Sequence, residues 1–307
     1  MSERSRIAKL ASILSKETAG VRIGIGDDAA VLTPPPGELV WTVDEQVEGT
    51  HFRLDWLTSE DVGWRSVMAA ASDLAAMGAR PWCALASLVL PKDHSEESFE
   101  AIIRGQRAAC DALDASLVGG NLARGERLSL TTSWLGTTSR ALTRSGARAG
   151  DRVWLAGSVG LAACGLQAIL RGAAVPDAAL SAWRRPLALI DAGQSARQHG
   201  TAAIDVSDGL AGDVGHLAIS SGKKVVLAAS AIIAALPPAL IVGARSLDRD
   251  PLDLALNGGE DYALVCTSPH PLDGFVEIGE VTDGEGTWLR EGATERRLTV
   301  TGFDHFA

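Results

Sequence analysis

Residues 20–52 read GVRIGIGDDAAVLTPPPGELVWTVDEQVEGTHF. Gly24, Gly26 and Ala29 match the G-x-G-x-x-[GA] spacing of a dinucleotide-binding turn, and Asp44 stands downstream where such a fold holds a ribose. That reading requires a full helix directly after the glycines. Pro34, Pro35 and Pro36 arrive five residues after Ala29, and the intervening AAVL is strand-like, so no such helix fits. The stretch reads instead as two strands, 30–32 and 38–43, joined by a Pro-Gly turn. It leaves the pair Asp27-Asp28 before one strand and Asp44 at the end of the other.

Working outward, 7–16 reads as a short helix, and 59–77 carries apolar side chains at helical spacing behind Ser59 and Asp61. The apolar run 84–90 reads as a buried strand and 95–112 as a second helix. Residues 116–118 and 127–135 read as strands on either side of GGNLARGE. At 137–151 the composition shifts to TTSRALTRSGARAGD, polar, basic and glycine-containing, which marks a domain boundary. This gives a domain over 1–138 and another over 139–307. In the second, 152–156 is a strand, 161–170 a helix, 187–198 a helix and 203–206 a strand. The segment SDGLAGDVGHLAISSG opens a further helix, and shorter strands and loops run to the end. Strands and helices alternate in both halves, so the fold class is α/β or α+β.

A chain of 307 residues exceeds what one core usually organises. Its 46% hydrophobic and 21% charged residues suit a globular protein. The net charge of −10, with no basic block, argues against nucleic-acid binding. Cys83, Cys110, Cys164 and Cys266 form no C-x-x-C pair, which argues against a zinc site or disulfide framework and points to a reducing compartment. The N-terminal MSERSRIAKLASILSKE has no apolar core or cleavage signal, and no uninterrupted apolar stretch is long enough to span a membrane. The cytoplasm is the expectation. P-loop, protein-kinase and H-E-x-x-H signatures are absent.

Several aspartates stand apart from the surface background. Asp73 sits in VMAAASDLAAMGA, where an unpaired carboxylate among Ala, Leu and Met costs several kcal/mol and therefore needs a metal, a cation or backbone donors. Asp205, Ser207 and Asp208 precede Gly209 where a strand passes into a helix, and backbone N–H groups there suit phosphate. Gly258-Gly259-Glu260-Asp261 forms another such turn. Carboxylates beside glycine turns are what Mg²⁺ takes from a protein, filling its remaining positions from phosphate and water. Several ions can neutralise a triphosphate and align it for in-line attack.

Taken together, GIGDDAAVL, VDEQVEGTHF, SDLAAMGARP, VGGN, LTRSGARAGD, AIDVSDGL, NGGEDYALV and GFDHFA resemble the thiamine-monophosphate kinase family, in its order and over nearly the whole chain. SDLAAMGA with SDGL alone points only to the wider aminoimidazole ribonucleotide synthetase-like superfamily. Gly49-Thr50-His51-Phe52 with the terminal Asp304-His305-Phe306 favours the thiamine enzyme. The resemblance implies a two-domain fold of that superfamily, with an N-terminal mixed sheet that pairs in a homodimer and a C-terminal α/β domain that closes the site. It implies ATP-dependent conversion of thiamine monophosphate to thiamine diphosphate, with Mg²⁺, by direct transfer and without a protein nucleophile. It implies magnesium contacts from Asp28, Thr42, Val43, Asp44, Asp73, Asn121, Asp205 and Asp208, Val43 through its carbonyl alone. It further implies ATP contacts from Gly120, Asn121, Arg144 and Ser207, and substrate contacts from His51, Glu260 and Phe303.

Three departures stand out. Asn121 replaces an aspartate of the family's Gly-Gly-Asp-x-x-Arg-Gly, which removes a negative charge from the magnesium set. Ala70 replaces an asparagine, and Glu45 follows Asp44 and adds a charge expected to offset part of the loss at Asn121. The alternatives are another ATP-dependent enzyme of the superfamily, such as a selenophosphate synthetase-like one, or a non-catalytic paralogue that binds nucleotide or thiamine phosphate.

Overall fold

The computed structural model describes residues 3–299. They divide into two compact units, one of Met1–Leu74 with Ala79–Arg140 and the other of Ala75–Gly78 with Ala141–Ala307.

The first unit contains α1 (Glu3–Leu14), β1 (Val21–Ile23), β2 (Val31–Leu32), β3 (Glu38–Val47), α2 (Ser59–Ala76), β4 (Arg80–Leu90), α3 (Glu96–Ala112), β5 (Ser116–Arg124) and β6 (Ser129–Thr138). Its main sheet runs β3-β6-β4-β5, antiparallel except for the parallel β4–β5 pair. The expected hairpin between residues 30–32 and 38–43 does not form. β2 pairs with β1 instead, and β3 pairs along its whole length with β6, from Glu38 opposite Thr138 to Val47 opposite Ser129. The three prolines between β2 and β3 lack amide donors and fix extended backbone, so the chain leaves one sheet and enters the next.

Period-two alternation then sorts the side chains. Trp134 of β6 is fully buried and its indole N–H donates to the Val67 carbonyl of α2 at 3.1 Å. α2 and α3 cross closely because Gly63 and Gly105 meet the carbonyls of Ile102 and Glu60, leaving no room for a Cβ. On the other face, Leu39, Trp41 and Val43 of β3 and Leu85 of β4 are exposed. The β1–β2 hairpin packs Val21, Ala30 and Leu32 onto Trp82, Cys83 and Val118, and the Trp82 indole N–H donates to the Ala19 carbonyl at 2.8 Å. That packing anchors the loop of Gly24 to Asp28.

The second unit contains β7 (Arg152–Ala156), α4 (Leu161–Arg171), α5 (Asp177–Arg184), α6 (Ile190–His199), β8 (Ala202–Val206), α7 (Leu210–Ser221) and β9 (Lys224–Ala228). It continues with α8 (Ala229–Ala235), α9 (Pro238–Ser246), α10 (Pro251–Asn257), β10 (Ala263–Ser268), β11 (Val276–Thr282), β12 (Gly286–Glu291) and β13 (Thr294–Arg297). Three helices, α8 to α10, stand where shorter strands and loops were expected. The proline at the start of α9 and of α10 removes only an N–H that a helix leaves unpaired there, and so starts a helix rather than breaking one.

The seven strands run β13-β12-β9-β11-β7-β10-β8, with β9–β12 the one parallel pair. Helices cover both faces. Val153, Leu155, Ile204, Val206 and Val265 point into one core, while Trp154, Ala156, Ala203, Leu264 and Cys266 point into the other. All four cysteines are buried thiols. No single helix among the described residues is long and apolar enough to cross a membrane.

Candidate functional site

In the first unit, the β3 alternation turns Thr42 and Asp44 toward α2. There the Thr42 hydroxyl donates to Asp73 Oδ2 at 2.5 Å, so the carboxylate in the apolar stretch of that helix has a partner. Burial pushes the Asp44 carboxyl above its ordinary range, and the charge of Asp73 adds to the effect. The Glu45 amide (2.8 Å), the Gln46 side-chain amide (3.4 Å) and His51 act against it. His51 Nδ1 accepts the Val47 N–H at 2.9 Å, which leaves Nε2 as the protonated nitrogen of the neutral ring. Thr42, Asp44, His51 and Asp73 thus form one group. The Val43 side chain points to the opposite face and is 62% exposed.

A second group lies on that opposite face. Gly26, Asp27, Asp28, Gly120, Asn121 and Trp41 line a cavity of about 860 Å³. Asp28 is exposed, and its N–H donates to Asp27 Oδ1 at 2.8 Å. The expected strand 116–118 runs on through the glycines as β5, because Gly120 meets the Ala86 carbonyl where any Cβ would collide.

Register separates the two groups within one chain. Asn121 lies opposite Ser87, Ser87 opposite Thr131, and Thr131 opposite Glu45. Asn121 therefore shares a row and a face with Glu45, at the other edge of the sheet, three inter-strand spacings or roughly 14 Å away. Asp44 lies one residue off that row and on the other face. The expected offset of Asn121 by Glu45 is not a contact within a single chain.

In the second unit, Asp205 is nearly buried near the end of β8, on the face of Ala203, and Ser207 and Asp208 follow it. Gly209, with φ 121°, turns the chain into α7. Asp213, in the first turns of that helix, accepts the N–H groups of Asp208 (3.1 Å) and Gly209 (3.2 Å). Burial, reinforced by the charges of Asp205 and Asp208, pushes the Asp213 carboxyl up to about 7 against those hydrogen bonds. The glycine turn before β10 lies against this loop. Gly259 has no room for a Cβ beside the Ser207 carbonyl, and the Glu260 N–H donates to that carbonyl at 2.7 Å. Asp205, Ser207, Asp208 and Glu260 are thus one neighbourhood. Arg144 is not part of it: its side chain is exposed and its carbonyl accepts from Ser221, at the other end of α7. A twelve-residue helix separates those ends by roughly 18 Å.

Phe303, with Asp304, His305 and Phe306, lies outside the described residues. Residue types singled out the carboxylates beside glycine turns but did not single out Asp213 and gave Asp261 no role beyond its turn. Asp213 looked like an ordinary acidic residue in the first turn of a helix, and Asp261 like the neighbour of Glu260. Asp213 takes the backbone N–H groups of the loop just before its own helix, and Asp261 takes those of a segment about a hundred residues away.

Among the described residues no three His, Cys, Asp or Glu side chains gather tightly enough to hold a metal ion on their own. The donor chemistry nevertheless fits Mg²⁺, which takes one or two carboxylates and completes its shell with water and phosphate. In each unit one carboxyl is pushed up by burial and by its charged neighbours, Asp44 by Asp73 and Asp213 by Asp205 and Asp208, and a divalent cation relieves that repulsion.

Residues 26–138 match the AIR synthase related protein, N-terminal domain. The chain is 33% identical over 301 residues to thiamine-monophosphate kinase of Aquifex aeolicus, covering 95% of this chain and 96% of that one. The chain belongs to the thiamine-monophosphate kinase family. It is also 35% identical to the member from Escherichia coli O157:H7, over 99% of this chain and 98% of that one. The structure resembles AaThiL complexed with AMPPCP and TMP, with a TM-score of 0.82 at 31% identity over 99% of this chain and 97% of that one. It resembles thiamine-monophosphate kinase from Stenotrophomonas maltophilia K279a with a TM-score of 0.80 at 33% identity, over 93% and 94%. The fold, though not the sequence, extends to the hydrogenase maturation protein HypE of E. coli, with a TM-score of 0.78 at 18% identity over 97% of each chain. The fold is thus the mixed α/β fold of the aminoimidazole ribonucleotide synthetase-like superfamily.

Proposed function

We propose that this protein transfers the γ-phosphoryl group of ATP to thiamine monophosphate. A phosphate oxygen of the acceptor attacks the γ-phosphorus in line, the bond to the β-phosphate oxygen breaks, and ADP and thiamine diphosphate leave. The observation that carries this reading is the Thr42–Asp44–His51–Asp73 group in a chain related over nearly its full length to thiamine-monophosphate kinases. A relative of the same fold is described with AMPPCP, an ATP analogue, and TMP together.

In this reading Asp28, Thr42, the Val43 carbonyl, Asp44, Asp73, Asn121, Asp205 and Asp208 hold magnesium. The bound ions supply charge neutralisation on the triphosphate. Gly120, Asn121, Arg144 and Ser207 contact ATP. The Ser207 segment stands at a helix start, where N–H groups face phosphate. His51, Glu260 and Phe303 contact thiamine phosphate, and His51 offers its Nε2–H. No protein nucleophile takes part.

Residues 1–138 bind ATP and magnesium and dimerise, and residues 139–307 close the site. The protein works as a cytoplasmic homodimer. The exposed face of Leu39, Trp41 and Val43 supports pairing, because a row of large apolar side chains on an open sheet marks an interaction surface. The sheet-wide separation of Asn121 from Asp44 adds a reason, since a second copy is one source of the missing neighbours.

Asn121 favours a second reading, a paralogue that binds nucleotide without turnover. Mixing purified protein with ATP, Mg²⁺ and thiamine monophosphate and measuring thiamine diphosphate decides between them. Product formation supports the kinase. ATP binding without product supports the paralogue, and product only with another acceptor supports a different superfamily enzyme.

A further inference from the structure

The proposed reaction leaves Asp261, a buried carboxyl bound to backbone N–H groups, without a role. Helix α4 is preceded at its N-cap by Gly160, which has φ 83° and no side chain to cap the helix. Its free N–H groups are taken by Asp261 from about a hundred residues downstream. The Gly160 N–H donates to Oδ2 at 2.5 Å and the Ala162 N–H to Oδ1 at 2.9 Å. The residues on either side of Asp261 are both in left-handed backbone, Glu260 at φ 70° and Tyr262 at φ 51°. Only two other non-glycine residues among those described do this. Such backbone persists only where its surroundings over-determine it. Here they do. The Glu260 N–H is held by the Ser207 carbonyl at 2.7 Å, the Tyr262 N–H by the Val206 carbonyl at 2.8 Å, and the carboxylate between them is clamped to α4. The Tyr262 hydroxyl reaches Glu260 Oε2 at 3.4 Å.

A helix cap needs none of this, because a local Ser or Asp caps as well without strain in a distant loop. We propose that Asp261 is a positioning residue for thiamine-phosphate binding: by clamping the start of α4 it forces Glu260 into left-handed backbone and presents its carboxylate beside the Ser207–Asp208 loop. The inference rests on the proposed role of Glu260 in contacting the substrate.

Asp261→Asn keeps the size but offers one acceptor where two N–H groups now donate. In steady-state kinetics it raises KM for thiamine monophosphate roughly tenfold or more, while KM for ATP stays within about twofold. Glu260→Gln then adds little in the Asp261→Asn background, because the two residues act as one unit. A purely structural cap gives the opposite: a lower melting temperature, both KM values unchanged, and a Glu260→Gln effect that adds in full. That result overturns the inference. Should Asp261→Asn not fold, Asp261→Glu retains the charge but displaces the loop, and the same split in KM is expected. Amide exchange separates this inference from the kinase reading itself. If the wild type makes no thiamine diphosphate, the kinase reading fails. The positioning claim then stands if Asp261→Asn speeds exchange at Glu260 and Tyr262 well beyond that at Ala162 and Cys164, and falls if exchange rises only at the start of α4.

Discussion

Asp73→Asn separates a carboxylate kept for binding magnesium from one kept for stability. The amide retains an oxygen that can accept from the Thr42 hydroxyl, so the 2.5 Å contact has a substitute. Losing the charge weakens that hydrogen bond from a charge-assisted to a neutral one, a loss of about 1 kcal/mol. Against it, Asp44 no longer faces a second carboxylate, a relief of similar size for a half-buried pair. The metal-free protein should therefore keep its stability to within about 1 kcal/mol. Magnesium binding loses a full charge from its ligand set, worth about 1.5–3 kcal/mol, or roughly a 10- to 100-fold weaker affinity. Chemical denaturation without magnesium gives the first number, and calorimetric titration of Mg²⁺ in the presence of a non-hydrolysable ATP analogue gives the second. Loss of more than about 2 kcal/mol of stability with unchanged magnesium affinity would show Asp73 to be a structural hydrogen-bond acceptor and not a magnesium ligand.

Three further outcomes are expected. Burial lifts the Asp261 carboxyl from its ordinary 3.8 to about 7, so between those values the folded protein holds a proton that the unfolded chain has released. Stability relative to Asp261→Asn should then fall as pH rises from about 4 to about 7, by at most about 4 kcal/mol, as read from urea unfolding across that range; a flat difference would contradict it. Asn121→Asp restores a charge to the cavity lined by Asp28, and should lower the magnesium concentration for half-maximal activity by up to roughly tenfold; an unchanged requirement would remove Asn121 from the metal set. Trp41 is 75% exposed, so Trp41→Lys should leave the fold intact but convert a dimer to a monomer in sedimentation velocity, and a dimer that persists would move the interface elsewhere.

The elements that the sequence displayed best were those with a single dominant period. α2 and α3 carry apolar side chains at helical spacing, and the uninterrupted apolar run of β4 marks a buried strand. The pairing of β2 was hidden because a proline-glycine turn looks the same whether it joins neighbours or sends the chain to another sheet. α8 and α10 were missed because seven-residue helices show too few turns for a period to emerge. At the candidate site, residue types exposed Asp44, Asp73, Asp205 and Asp208, since carboxylates in apolar or glycine-rich surroundings stand out. They gave no hint that Asn121 and Asp44 lie at opposite edges of a sheet, because that follows from strand order alone. Asp213 and Asp261 stayed hidden for a related reason. Their meaning lies in which backbone amides they accept, and one of the two reaches across about a hundred residues to find them.

The proposed reaction is direct phosphoryl transfer from ATP to thiamine monophosphate. Its most direct test is to give the purified protein ATP labelled in the γ-phosphate, with Mg²⁺ and thiamine monophosphate, and to follow the label. With direct transfer the label passes one for one into thiamine diphosphate and never appears on the protein. Label released as inorganic phosphate without thiamine diphosphate, or trapped on the chain, would contradict it.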